Sequence, residues 1–237
     1  MIQIGEGMSR VEGLGVLDPA KLVSSVGRTV EIAGRRFLVL LPSLHDKLHS
    51  IERGAQIIVT KDSASIVQRC GIGAGDVVIE GGAGSGAMTI ALAHAVNPGG
   101  KVVSYEIRTD FAETARKNVS MAGFSAVSEI KVADITKGIA ERDVKAVVLD
   151  LPEPWMAVES AWAALAPCGF LASYSPNMEQ VKETVMVMGE LPFVDFYTAE
   201  IIEREIEVRE TGVRPSFAAL GHTGYITTAR KVLEKLD

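Results

Sequence analysis

From about residue 63 the chain alternates short apolar runs with helical stretches, and this alternation limits the fold more than any other feature of the sequence. Asp76-Val77-Val78-Ile79-Glu80 reads as a buried strand, and an Ala-rich helix over 85–96 follows, stopped by Pro98-Gly99-Gly100. Val102-Val103-Ser104-Tyr105-Glu106 reads as the next strand, and a helix over 110–122 closes at Gly123. Strands at 128–132, 146–149 and 169–174 and helices at 156–166 and 177–189 continue the rhythm. Strands separated by helices pair in parallel, and the crossover helices cover both faces of the sheet, so an α/β fold is expected. The rhythm stops near the end. Residues 193–209 and 223–230 are β-rich with no long helix between them, which predicts an antiparallel hairpin on the sheet edge, its arms joined by a loop over 212–223.

Ahead of the alternation, Thr29 to Leu41 gives two apolar stretches around Ala33-Gly34-Arg35-Arg36, the pattern of a β-hairpin. Residues 1–45 are therefore expected to form a small β-rich N-terminal domain and residues 46–237 the main domain. A chain of 237 residues can bury a sizeable core, and 47% hydrophobic residues with only 5% aromatic suit an α/β protein rich in Ala, Val and Ile.

No apolar run approaches the roughly 20 residues of a membrane helix, and MIQIGEGMSR lacks the basic start and apolar stretch of a signal peptide. A cytoplasmic protein with no membrane partner is expected. Cys70 and Cys168 stand alone, without metal-ligand spacing, so no metal is expected. The net charge of −6 does not advertise a nucleic-acid binder. Arg35, Arg36, Lys47, Arg53 and Lys61 are candidate phosphate contacts, although each reads equally as an ordinary solvated cation.

Glu80-Gly81-Gly82-Ala83-Gly84-Ser85-Gly86 leaves the first strand of the main domain and opens its first long helix. Glycines there let the backbone turn tightly and approach a ligand without a Cβ clash. The next strand ends on Glu106, where a carboxylate can accept both hydroxyls of a ribose. This plan serves NAD and S-adenosylmethionine alike, and Gly82, Gly84 and Ala87 also satisfy the dinucleotide spacing. The later strands weigh against a pyrophosphate. Asp134 in Val132-Ala133-Asp134-Ile135 and Asp150 in Val148-Leu149-Asp150 also stand at strand ends, and three acids so placed suit a cationic, phosphate-free ligand. Asp150 runs into Leu151-Pro152-Glu153-Pro154-Trp155, where two prolines force an extended turn and hold an aromatic ring near the carboxylate.

With these motifs the chain resembles the tRNA adenine-N1 methyltransferases that modify the T-loop. The resemblance runs from about residue 16 to 231 and rests on Gln56-Ile57-Ile58 with Lys61-Asp62, on residues 80–86 and 150–155, on Ser175-Pro176 with Glu179-Gln180, and on Gly221-His222-Thr223-Gly224-Tyr225. It implies a Rossmann-like class I methyltransferase with a mainly parallel seven-stranded sheet behind the N-terminal domain, S-adenosylmethionine as cofactor, tRNA as partner and a homotetramer. It also implies cofactor contacts at Ile58, Gly82, Gly84, Ser85, Gly86, Ala87, Met88, Glu106, Phe111, Asp134 and Ile135, with Asp150 reaching both cofactor and target base. Val59-Thr60 departs from the aromatic-Pro pair common at that place, and Phe217-Ala218-Ala219-Leu220 lacks a basic residue often found there.

In such an enzyme Asp150 is the catalytic candidate, accepting a hydrogen bond from the adenine amino group and stabilising the positive charge that develops on the base. The base must leave its stack, and Trp155 and Tyr225 are candidates to line its pocket. His222 can contact RNA, or can be a turn histidine hydrogen-bonded to backbone. Ser175-Pro176-Asn177 reads first as a helix cap. A small-molecule methyltransferase of the corrinoid-precursor type, a non-catalytic tRNA-binding subunit and a dehydrogenase are the rival readings.

Overall fold

The structure is a computed structural model describing residues 8–11, 13–54, 56–218 and 220–235. The stretch read above for a leader starts with residues 1–7, which lie outside the described residues, as does Ala219. The chain divides into two units, Met1–Ile51 and Glu52–Asp237.

In the first unit β1 (Ser9–Val11) pairs antiparallel with β2 (Gly15–Leu17), and α1 (Pro19–Val23) precedes a hairpin of β3 (Thr29–Ile32) and β4 (Arg35–Leu38). Only Ala33 and Gly34 form its turn, with φ of 50° and 73°, the two positive angles a two-residue primed turn requires. Arg35 and Arg36 belong to β4. Next comes α2 (Leu44–His49), opened by a capping box in which Ser43 N donates to the Asp46 carboxylate and Asp46 N donates to Ser43 Oγ. This self-capped helix belongs to the first unit, so the division falls after Ile51 and not near residue 45.

The second unit runs α3 (Thr60–Arg69), β5 (Val77–Gly81), α4 (Ala87–Val96), β6 (Lys101–Glu106), α5 (Thr109–Met121), β7 (Ser128–Val132) and β8 (Val144–Leu149). A 3-10 turn (Pro154–Ala157), α6 (Val158–Ala164), β9 (Leu165–Ser175), α7 (Met178–Glu190), β10 (Phe193–Glu200), β11 (Ile206–Arg209), β12 (Gly212–Pro215) and β13 (Tyr225–Lys231) complete it. The helix expected over 156–166 is therefore two pieces. It stops at Ala164 because Pro167 cannot continue a helix, and the chain turns into β9 instead.

Seven strands form one sheet in the order β10-β13-β9-β8-β5-β6-β7. Strands β5 to β9 pair in parallel, and β13 runs antiparallel to both its neighbours. The chain end differs from expectation in two ways. The returning strand β13 inserts between β9 and β10, leaving β10 at the edge. Residues 206–215, expected as strand and loop, fold into a hairpin of their own, with Val208 opposite Val213 and Glu207 paired to Arg209 and Arg214.

Register explains the core. Ile79 lies beside Val103 and Val147, and Val147 lies beside Leu171, so the odd-numbered side chains of the central strands share one face. They pack with Val158, Ala161 and Ala164 of α6 and Met188 of α7 into a buried cluster. The even-numbered side chains point the other way, where α4 packs against β5 and β6. Leu149 is wholly buried at the end of β8. Leu149→Ala should therefore cost about 2–5 kcal/mol of stability, measured by urea unfolding.

Candidate active site

Strand order reverses direction at β5: the chain proceeds outward through β6 and β7 on one side and through β8 and β9 on the other. Loops leaving β5 and β8 therefore part company, and a crevice opens at the C-terminal ends of the strands. Gly82 is the closest point of this arrangement. Its φ is 87°, and a Cβ there would lie 2.1 Å from the Asp150 carbonyl oxygen, so no other residue fits. Asp150 N donates to Gly81 O at 2.8 Å, and Gly82 N donates to Tyr105 O at 2.9 Å, seating the loop between its two neighbouring strands. Gly84 N donates to Glu106 Oε2 and Arg108 N to Glu106 Oε1, both at 2.9 Å. Two backbone amides thus fix the carboxylate expected to hold a ribose.

The crevice holds a cavity of about 580 Å³. Among the expected cofactor residues Gly82, Gly84, Glu106, Phe111, Asp134, Ile135 and Asp150 line it. Ile58, Ser85, Gly86, Ala87 and Met88 do not. Ile58, Ala87 and Met88 are buried, and Ser85 Oγ accepts from Gly54 N at 3.1 Å while its carbonyl accepts from Asn118 Nδ2 at 2.9 Å. These five stand outside the cavity wall, Ala87 and Met88 in the first turn of α4 and Ile58 just before α3. Gln56, Tyr105, Arg108 and Met156 are in the wall without having been singled out from the sequence as cofactor contacts. Trp155 is half-buried in the 3-10 turn and absent from the wall, whereas its neighbours Glu153 and Met156 are present. His222 and Tyr225, before and at the start of β13, are not in the wall either.

The electrostatics are dominated by carboxylates on one pleat. Glu80 lies beside Ser104 and Val148 in register, so Glu106 and Asp150, two residues further along β6 and just past β8, continue the same face. Glu80 is fully buried. Its Oε2 accepts from Thr89 Oγ1 and Ser104 Oγ, both at 2.5 Å, while Oε1 is buried with no partner among the described residues. Burial pushes its pKa up to about 7, against the two hydroxyl donors and with help from the charges of Asp150 and Glu106. Burial, then the Glu106 charge, likewise pushes Asp150 up to about 7. Asp134 behaves oppositely, held below its usual range by the hydroxyl and the backbone amide of Thr136. Arg108, the one cation in the wall, turns its guanidinium to Asp110 at 2.6 Å and lies over the Phe111 ring. The pocket is thus acidic, and its Arg is already committed.

Residues 38–215 match the family described as tRNA methyltransferase complex GCD14 subunit. The chain belongs to this tRNA methyltransferase family. A curated relative from Methanocaldococcus jannaschii, a tRNA (adenine(57)-N(1)/adenine(58)-N(1))-methyltransferase TrmI, is 40% identical over 94% of this chain and 88% of its own. Among solved structures, a SAM-dependent O-methyltransferase from Thermotoga maritima superposes with a TM-score of 0.86 at 34% identity, covering 98% of this chain and 88% of that one. The tRNA (m1A58) methyltransferase TrmI from Aquifex aeolicus superposes with a TM-score of 0.79 at 25% identity, covering 97% and 90%.

In this member of the tRNA methyltransferase family a second polar cluster ties α3 to β9 and β13. Asp62 is fully buried and receives Lys61 Nζ at 2.6 Å, Thr223 Oγ1 at 2.7 Å and Tyr174 OH at 3.2 Å. Lys61 also donates to Ile201 O and to Thr223 Oγ1. Its ammonium is spent within the protein, which removes Lys61 from the candidate phosphate contacts. Gly224 makes the cluster possible, since a Cβ there would lie 2.4 Å from the Tyr174 ring. One residue away, His222 Nδ1 faces the Glu200 carboxylate at 2.5 Å and Nε2 faces the Pro176 carbonyl at 2.8 Å. Two acceptors facing both ring nitrogens favour the doubly protonated ring, and the Glu200 and then the Pro176 contacts raise its pKa. His222 is a clasp between the ends of β9 and β10, with its ring 4.9 Å from that of Tyr225. Asn177 caps α7 as expected, accepting from Gln180 N, and Gln180 Nε2 donates to Pro152 O at 2.8 Å, bracing the turn after Asp150.

Glu80 gives a pH test of this site. Its folded pKa lies above its ordinary value, so its contribution to stability is fully present below about pH 4.5 and lost as pH rises through about 7. Glu80→Gln cannot ionise. Its stability relative to the parent should shift in its favour by up to about 3 kcal/mol between pH 5 and pH 8, read from denaturation curves at each pH.

Proposed function

We propose that the chain transfers a methyl group from S-adenosylmethionine to N1 of adenine in the T-loop of tRNA. The observation that carries this reading is Asp150: a half-buried carboxylate against the glycine loop, in the wall of an acidic cavity. The names of the Methanocaldococcus and Aquifex proteins support the same substrate. A dehydrogenase would need a cradle for a pyrophosphate, and the carboxylates at 80, 106 and 150 oppose one. A non-catalytic subunit would have no use for an intact loop and Asp150. The name of the Thermotoga protein supports an O-methyltransferase as the second reading.

The cofactor fits the residues present. When bound it supplies an electrophilic methyl group on a cationic sulfur. Gly82 and Gly84 would let the backbone approach it, Glu106 would hold ribose hydroxyls, and Asp134 would hold the adenine amino group, with Ile135 and Phe111 in the same wall. On the substrate side N1 attacks with a neutral lone pair, so no proton need leave first. Asp150 accepts a hydrogen bond from the exocyclic amino group, orients N1 and stabilises the positive charge arriving on the base.

Incubation with labelled S-adenosylmethionine and unmodified tRNA, followed by digestion, should place label in 1-methyladenosine. Label confined to small molecules would sink the reading in favour of its rival. Asp150→Asn should slow methylation by roughly a hundredfold or more while changing cofactor affinity far less.

The same reading includes a homotetramer. The hairpin of β11 and β12 presents Ile206, Val208 and Val213, each more than half exposed, on one face, and a lone two-stranded hairpin is marginal in water. A second copy of this chain covering that face accounts for both facts, and a multimer gathers more basic side chains around one tRNA than an acidic monomer can. Light scattering should give the mass of four chains, and Val208→Asp with Val213→Asp should lower it.

A further inference from the structure

The carboxylates at the cavity ask for a cation, and the one cation among the described residues of its wall, Arg108, is already paired. Glu80, Glu106 and Asp150 stand on one pleat of three adjacent strands, the first fully buried and the second 7% exposed. Every group brought against them is neutral, acidic or already paired. Ser104 and Thr89 offer hydroxyls to Glu80, and the cavity that Glu106 and Asp150 line holds two more acids, Asp134 and Glu153. Arg108 gives Glu106 its backbone amide and sends its guanidinium to Asp110. On the β9 side Tyr174 is a neutral phenol, and the charge of Lys61 is matched by Asp62. The second oxygen of Glu80 has no donor among the described residues, and no hydrogen bond from them reaches the Asp150 carboxylate. A buried carboxylate with one oxygen unpaired among the described residues, and two further acids on the same pleat, is disfavoured as an anion.

We propose that Glu80, Glu106 and Asp150 act as one charge-sensing cluster, which holds a shared proton in the free protein, releases it when the sulfonium cofactor binds and retains it when the thioether product binds in the same place. This rests on the functional reading above and goes beyond it, because it assigns the cluster the discrimination between substrate and product forms of the cofactor. The two differ by one methyl group and one positive charge. The balance closes over a cycle. One proton leaves to solvent as the cation enters; the methyl transfer then moves the positive charge from sulfur to the base. The modified tRNA carries that charge away, and the cluster takes one proton back. Glu80 and Asp150, both raised in pKa first of all by burial, are the members that exchange the proton. Titration of both near pH 7 places the exchange in the physiological range.

Linkage then fixes the sign. Below about pH 7 the affinity for S-adenosylmethionine should rise up to about tenfold per pH unit and level off above, while the affinity for S-adenosylhomocysteine stays nearly flat. Product inhibition is accordingly strongest in acid.

The test is isothermal titration calorimetry of the full chain near pH 6.5, in buffers of differing ionisation enthalpy, with S-adenosylmethionine, S-adenosylhomocysteine and sinefungin, which carries an ammonium in place of the sulfonium methyl. All three ligands carry the same α-ammonium and carboxylate, so the comparison isolates the second positive charge: release of a large fraction of a proton is expected with S-adenosylmethionine and sinefungin and much less with S-adenosylhomocysteine. Glu80→Gln keeps an oxygen to accept from Thr89 and Ser104, and should release less than half as much as the parent; Asp150→Asn, altered at the rim and not in the core, should also release less. Equal release for all three ligands overturns the proposal, as does undiminished release in both variants. A chain that binds all three without any proton exchange defeats this inference alone. A chain that binds none defeats the functional reading with it.

Discussion

The structure depends on one close approach, that of the Gly82 backbone to the carbonyl of Asp150. A side chain at 82 would occupy the space of that oxygen. With glycine there, β5 can turn at its end while β8, its neighbour across the reversal of strand order, runs past it. The consequences propagate outward. The loop drops far enough for the Gly84 amide to reach Glu106, and Glu106 in turn fixes the amide of Arg108 at the start of α5. Asp150 is left at the rim of the same cavity. The glycines are commonly discussed as ligand contacts, but at position 82 the binding constraint is internal to the protein.

The same approach creates an electrostatic problem. Three carboxylates share one pleat, Glu80 and Glu106 buried and Asp150 half-buried, and the described residues offer them hydroxyls and amides while the Arg108 guanidinium pairs with Asp110. A fold selected for stability alone would place an apolar residue at 80, since Val148 on the neighbouring strand shows that this face of the sheet accepts one. Sites that shift several titrations together belong among functional ones. The bulk charge of the chain says little about this. What decides is a local excess of acid at a strand terminus, which a cationic ligand offsets.

How much of this was legible depended on range. The parallel strands, the glycine loop, Glu106, Asp134 and Asp150 follow from patterns a few residues long: apolar runs, a Gly spacing, an acid at the end of each run. The hairpin at Ala33-Gly34 and the Asn177 cap follow from equally local chemistry. The rest needed contacts distant in sequence. Nothing near Lys61 announces that Thr223 and the carbonyl of Ile201 will enclose its ammonium. The insertion of β13 between β9 and β10 is equally silent, because a strand's sequence records that it pairs but not with whom. Glu80 was visible only as the first letter of a loop; its buried unpartnered oxygen requires the register of β5 against β6. Trp155 was drawn toward the site by proximity in sequence, while the 3-10 turn puts its neighbours Glu153 and Met156 on the wall instead.

The cluster around Asp62 shows why the far half of the sheet matters to the near half. Parallel strands β5 to β9 are linked by crossover segments, whereas β13 follows the hairpin of β11 and β12 and is packed by α3 and α7 without a crossover helix leading into it. Thr223 and His222 position its start. One enters the buried pair of Lys61 and Asp62 on α3, and the other clasps the ends of β9 and β10. An apolar contact there would hold the strand as tightly yet tolerate sliding, whereas a buried ion pair with directed hydroxyls accepts one geometry. Since Tyr225 lies beside Ser175 and α7 braces the turn after Asp150 through Gln180, fixing β13 also fixes the side of the crevice from which a base would approach. The glycine loop sets where the cofactor can lie, and this polar clasp sets how far the substrate side stands from it.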